Sequence, residues 1–196
     1  GLGGMSGAQP KAGNIAGCVT VCAEVNPKIT HIRHSQGWIN EIVEDITLLV
    51  ARVRKALENK EVVSIAYLGN VVDVWERFDE ENLHIDLGSD QTSLHNPWAG
   101  GYYPVGISFE EANEMMAENP ELFKTKIQET LRRHTTAINK HTAKGTYFFD
   151  YGVWKNPLGL AEKCSGSGDC KKTALSGGTM CPSYMATLQE KDSTRA

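Results

Sequence analysis

The chain has 196 residues, 40% hydrophobic and 22% charged, which is a globular composition and excludes a disordered tail or a low-complexity fibre. A net charge of −4 and a pI of about 5.9 leave no basic surface for sequence-independent nucleic-acid binding, and no apolar run approaches the roughly 18 residues of a membrane span. Five cysteines, an odd number at irregular spacings, fit reduced thiols in a cytoplasmic setting better than a disulfide framework.

The chain opens on a glycine-rich loop, "GLGGMSG" (1–7), that runs into a short helix over 8–17, with Pro10 tolerable in its first turn. "CVTVCAEV" (18–25) is apolar and β-branched, a buried strand. Residues 26–38 read as irregular. Residues 39–59 carry Ile39, Ile42, Val43, Ile46, Leu49, Val50, Val53 and Leu57 at three-to-four spacing, which predicts one amphipathic helix. "VVSIAYLG" (62–69) is a second strand, 70–82 a short helix, and "LHIDLG" (83–88) a third strand. The polar, glycine-rich stretch 89–106 has the length of a functional loop. Residues 108–145 are helical, with a capping box from Ser108 to Glu111 and a division at Pro120. "TYFFDYG" (146–152) is a fourth strand, and beyond about 155 the pattern decays.

Strands alternating with helices predict an α/β, Rossmann-like fold, a mainly parallel sheet with helices on both faces. Ligands on such sheets collect where the strands end at their carboxyl edge. The loops 1–7, 24–34, 69–71, 89–103 and 150–153 would share that edge. Glycines let the backbone approach a pyrophosphate closely, and the helix that follows offers free N–H groups. Glu24 ends the next strand, about 20 residues on, where this fold sets an acid against the ribose hydroxyls and favours NAD over NADP. Gln91, Thr92, Ser93 and His95 supply donors and acceptors for a carboxamide, ribose or phosphate, although a plain surface turn would use the same residues. Cys164, Cys170 and Cys181 lack the spacing of a zinc site. His31 and His34 lack a third ligand, Cys18 and Cys22 read as packing residues on one strand face, and Arg132 and Arg133 as a solvated helix face.

"GLGGMSGAQP", "GNVVDVWER", "DLGSDQTSLHNPWAGGYYPV" and "FFDYG" occur in this order, and together they resemble the urocanase family over about residues 1–152. The resemblance implies a cofactor site built from Gly4, Met5 and Ser6 at the pyrophosphate and Glu24 at the ribose. Asn70 and Val71 follow the next strand in it, then the loop Gln91, Thr92, Ser93, Leu94 and His95, the pair Tyr102 and Tyr103, and Tyr151. A basic residue beyond the acid would assist, either Lys28 or Arg33. The implied enzyme is a cytoplasmic homodimer that adds water to urocanate in histidine degradation, with tightly held NAD+ as an electrophile.

In that family the NAD-binding domain is inserted in a larger core domain, and a central strand lies immediately upstream of the glycine loop. Residues 1–155 therefore read as the NAD-binding domain with its first strand missing, and 156–196 as an irregular segment outside the motif. A loop hanging from a chain end should bind NAD+ weakly, and without core-domain catalytic residues the fragment should not hydrate urocanate. The residues alone leave two other readings open, a fragment of an NAD-dependent dehydrogenase and a non-catalytic nucleotide-binding module.

Overall fold

The computed structural model describes residues 1–4, 6–89 and 97–146. The chain divides into two units, Gly1–Phe148 and Phe149–Ala196, and every described residue belongs to the first. Helix α1 (Gln9–Ala16) leads into strand β1 (Val19–Glu24), α2 (Pro27–Ser35), β2 (Glu41–Val43), α3 (Ile46–Glu58), β3 (Val63–Leu68) and α4 (Val71–Glu80). An irregular turn at Pro97–Gly101 precedes α5 (Phe109–Glu118) and α6 (Pro120–Ala143).

The three strands form one parallel sheet in the order β1-β3-β2. Register pairs Val19, Val21 and Ala23 with Val63, Ile65 and Tyr67, and sets Val43 beside Tyr67. Side chains alternate across a strand, so these residues share one face. That face buries Leu49, Val50, Val53 and Ala56 of α3 and Val74 and Phe78 of α4. The opposite face carries Cys22, Ala66 and Ile42, which pack with Leu2, Ile29 and Ile39. Helices α3 and α4 thus cover one face, and α1, α2 and the start of the chain cover the other, as a parallel sheet requires. A separate cluster of Tyr102, Ala112, Phe123 and Ile127 joins the turn after residue 97 to α5 and α6. Helix α6 is fixed to α4 by Arg133–Glu76 and by Lys140 and Lys144 on Asp79. His141 Nε2 also lies 2.8 Å from the Trp75 carbonyl.

Several sequence expectations need correction. Residues 26–38 are not irregular: Asn26 caps α2 by accepting from the Lys28 and Ile29 amides, and Pro27 opens the helix. The signal was the Asn-Pro pair, overlooked because α2 shows no clean apolar stripe. The single helix expected over 39–59 is instead β2 and α3, separated at Asp45, whose side chain accepts from the Leu48 amide. The apolar spacing runs across the break by coincidence. The strand expected over 83–88 is reduced to one bridge residue, Leu87. The centre of the sheet is filled by β3, which pairs directly with β1 on one side and β2 on the other. The Ser108–Glu111 capping box and the division at Pro120 are both present. The strand expected over 146–152 lies outside the described residues apart from Thr146.

Candidate functional site

Strand β1 ends at Glu24 and β3 at Leu68, and the Gly69 amide donates to the Glu24 carbonyl, 2.9 Å, so the two ends are tied together. The start of the chain lies against this edge. Leu2 is fully buried beneath the loop, in the cluster with Ile39 and Ala66. Its amide donates to Glu24 Oε2 at 2.7 Å, and the other carboxylate oxygen accepts from the Asn26 amide at 3.0 Å. The loop is therefore not left hanging. A buried side chain and backbone contacts hold it, none of which local sequence reveals.

The loop closes on itself where the Gly7 amide donates to the Gly3 carbonyl, 2.9 Å. A β-carbon on Gly7 would lie 2.6 Å from that carbonyl, 2.7 Å from Arg33 Nε and 2.8 Å from the Leu2 carbonyl, so only glycine fits. Gly3 and Gly4 are different, since a β-carbon on either would meet no described residue within 4 Å. Ser6 accepts from the Gln9 amide through its carbonyl, 3.0 Å. Helix α1 begins there with no side-chain cap at Ala8 and with Pro10, which has no N–H, in its first turn. Met5 lies outside the described residues.

Of the two basic residues proposed to assist, Arg33 reaches the loop. Its Nε and Nη2 donate to the Leu2 and Gly3 carbonyls at 3.0 and 3.3 Å, and its plane lies over the Trp38 ring at 4.7 Å. Lys28 is exposed at the first turn of α2.

Asn70 is buried at the second strand end and does two jobs. Its Oδ1 accepts from the Val72 amide, 3.0 Å, capping α4, and its Nδ2 donates to the Tyr103 carbonyl, 2.8 Å. Val71, the first residue of α4, packs against the core. Tyr103 stands close enough to Glu24 to feel its charge. Burial chiefly, and Glu24 in addition, push the Tyr103 phenol up, while its hydrogen bond to Asn113 opposes them. That bond is 3.0 Å. Tyr102 turns the other way: it is buried, and its hydroxyl meets His134 Nδ1 at 2.6 Å. Gln91, Thr92, Ser93, Leu94, His95 and Tyr151 lie outside the described residues. Just before the first of them, Ser89 Oγ accepts from Gln9 Nε2, 3.1 Å, which links that loop's start to the first turn of α1.

The structure thus gathers the glycine loop, Glu24, Asn70, Val71 and Tyr103 at one edge. Sequence reasoning missed the partners that hold them, Trp38, Asn113 and His134, because each acts across an element boundary and has no local signature. Among the described residues no cluster of His, Cys, Asp or Glu could hold a metal ion, and no helix is long and apolar enough to cross a membrane. Cys18 stands exposed just before β1, and so does not pack as expected, whereas burial pushes the Cys22 thiol up to about 11. Arg133 is not a free surface cation either, since it pairs with Glu76.

A family profile described as "Urocanase Rossmann-like domain" matches residues 1–166. Over 153 residues the chain is 55% identical to a probable urocanate hydratase of Dictyostelium discoideum and 53% identical to one of Caenorhabditis elegans, covering 78% of this chain and 23% of each of those proteins. It is 48% identical over 190 residues to urocanate hydratase of Mus musculus, covering 94% of this chain and 28% of that protein. The chain spans about a quarter of the length of the curated relatives it matches.

Proposed function

The chain belongs to the urocanase family, and from that premise we propose that it is the NAD+-binding part of a urocanate hydratase. The observation that carries the reading is the glycine loop lying at the carboxyl edge of a parallel sheet, beside Glu24 and the start of α4. This is where such sheets take nucleotides.

The residues present fit the cofactor. Among the described residues, the Cα faces of Gly3 and Gly4 leave room for a diphosphate against the backbone, and the positive end of α1 lies beside them. A carboxylate has about four lone-pair positions. Glu24 uses two of them on the Leu2 and Asn26 amides and keeps the rest for ribose hydroxyls. A 2′-phosphate would meet its charge, so the site takes NAD+ over NADP+. Gly4, Met5 and Ser6 hold the pyrophosphate, and Asn70 and Val71 present the start of α4. The family resemblance adds Gln91, Thr92, Ser93, Leu94, His95 and Tyr151 to the cofactor-binding residues, while Tyr103 stands near Glu24 and Tyr102 anchors its segment on His134.

When bound, NAD+ supplies an electron-poor ring that draws electrons from the urocanate imidazole as water adds. This chain contributes the binding and orientation of that ring. Substrate contacts and proton transfers belong to the core domain. The whole protein acts in histidine degradation as a cytoplasmic homodimer, and this chain alone does not turn urocanate over.

Calorimetric titration with NAD+ and NADP+ tests the binding. NAD+ should bind with NADP+ weaker, and Glu24→Ala should narrow the difference. A chain that binds neither, in its folded state, refutes the reading. Loss of urocanate's ultraviolet absorbance with the full-length protein, and none with this chain, tests the division of labour.

A further inference from the structure

The resemblance assigns Glu24 and one basic residue to the cofactor itself. The geometry points to a different role for Arg33 and a second one for Glu24, and we propose that the two are positioning residues that aim the glycine-loop amides by gripping Leu2 from both ends, Glu24 doing so with the carboxylate positions that the ribose does not use. The proposal rests on reading the loop as a cofactor cradle.

The Leu2 amide donates to Glu24 Oε2, and the Leu2 carbonyl accepts from Arg33 Nε. The same guanidinium extends to the next carbonyl, that of Gly3, through Nη2. Gly7 closes on that carbonyl from the other side with its amide. In a trans peptide the carbonyl and the following N–H point in opposite directions. Pinning the Leu2 and Gly3 carbonyls toward Arg33 therefore turns the N–H groups of Gly3 and Gly4 away from it. A β-carbon on either residue would itself meet no described residue within 4 Å, so the loop is uncrowded there among the described residues.

Arg33 spends three of its five N–H donors within the protein. Nε and Nη2 are on the loop, Nη1 donates to Gln36 Oε1 at 2.9 Å, and the guanidinium plane covers Trp38. Its planar fork is what the task needs, because a lysine is a point charge and cannot span two consecutive carbonyls in fixed geometry. The loop is thus shaped before the ligand arrives, which removes an ordering cost from binding.

The test uses this chain with Arg33→Lys, Arg33→Met and, as a milder disturbance of the same guanidinium, Trp38→Leu. Two quantities are read: NAD+ affinity by calorimetry, and hydrogen exchange of the Gly7 amide, with the Ile65 amide in β3 as a control for global opening. The clamp predicts that Arg33→Lys and Arg33→Met each bind NAD+ about tenfold more weakly. Gly7 exchange should quicken in both while Ile65 exchange holds. Trp38→Leu should move both readouts the same way by less. If Arg33 instead acted through its charge on the cofactor, Arg33→Lys would keep near-native affinity, and that result overturns the proposal. Unchanged Gly7 exchange in Arg33→Met overturns it as well, whatever the affinity. If the wild-type chain takes up no NAD+ but Gly7 exchange still depends on Arg33, the cofactor reading is what fails and the clamp stands.

Discussion

Replacing Gly13 with alanine sets two effects of opposite sign against each other. Gly13 lies inside α1, where alanine is favoured over glycine by about 1 kcal/mol. A surface position would therefore gain stability. Gly13, however, faces β1. A β-carbon there would overlap Thr20 Oγ1, and it would also sit 3.0 Å from Thr20 Cβ and 3.3 Å from its Cγ2. Rotating Thr20 about χ1 relieves the hydroxyl but not the Cβ contact, so α1 must move outward. Asn14 would then strain its bonds to Asn40 and Ser64 on the same face. Overpacking of this kind costs about 1–3 kcal/mol, leaving a net loss of up to about 2 kcal/mol after the propensity gain. Thermal unfolding should show the midpoint falling by up to about 8 °C for a domain of this size. In a Thr20→Ala background most of the overlap disappears, and Gly13→Ala should cost about 1 kcal/mol less there. A rise in Tm on Gly13→Ala, or an equal effect in both backgrounds, would refute the packing argument.

Asn70→Ala removes the α4 cap and the donor to the Tyr103 carbonyl together, and should lower stability by about 2 kcal/mol in urea unfolding. Asn70→Ser keeps an oxygen able to cap α4 and loses the donor, so it should recover about half of that. Tyr102→Phe deletes the buried bond to His134 Nδ1 and should cost about 1–2 kcal/mol, read the same way. Asp79 is held down to about 2, from an ordinary 3.8, by Lys144 first and Lys140 second. A depressed folded value means that the ion pairs stabilise the fold at neutral pH and that this contribution is lost as pH falls through about 4 towards 2. Tm measured against pH should therefore drop less steeply across that window in Asp79→Asn than in wild type, and parallel curves would show that the cluster contributes nothing.

The layered fold was legible because continuous apolar, β-branched runs in 19–24 and 63–68 and three-to-four spacing in 46–58 are strong local signals. The sheet order was not, because nothing in 41–43 says whether that short strand will pair with β1 or β3. The glycine loop, Glu24 and Asn70 could be placed at one edge from their positions after strands alone. What each side chain does there could not. Asn70 is spent on a cap and on a carbonyl 33 residues away, and Arg33 reaches back 31 residues to Leu2. Such pairings follow from tertiary packing of α2 and the turn before α5, which no window of neighbouring residues contains.

The place of β3 between β1 and β2 also fixes the order of events during synthesis. Among the described residues β1 and β2 pair only with Val63–Leu68, so these two strands are joined in one sheet only once β3 has been made. A chain made only to the end of α3 has β1 and β2 without the strand that joins them, and the apolar stripe of Leu49, Val50 and Val53 without Val63, Ile65 and Tyr67 to pack on. That interval is the one in which the emerging polypeptide is most open to off-pathway association, and it closes when the middle strand leaves the ribosome.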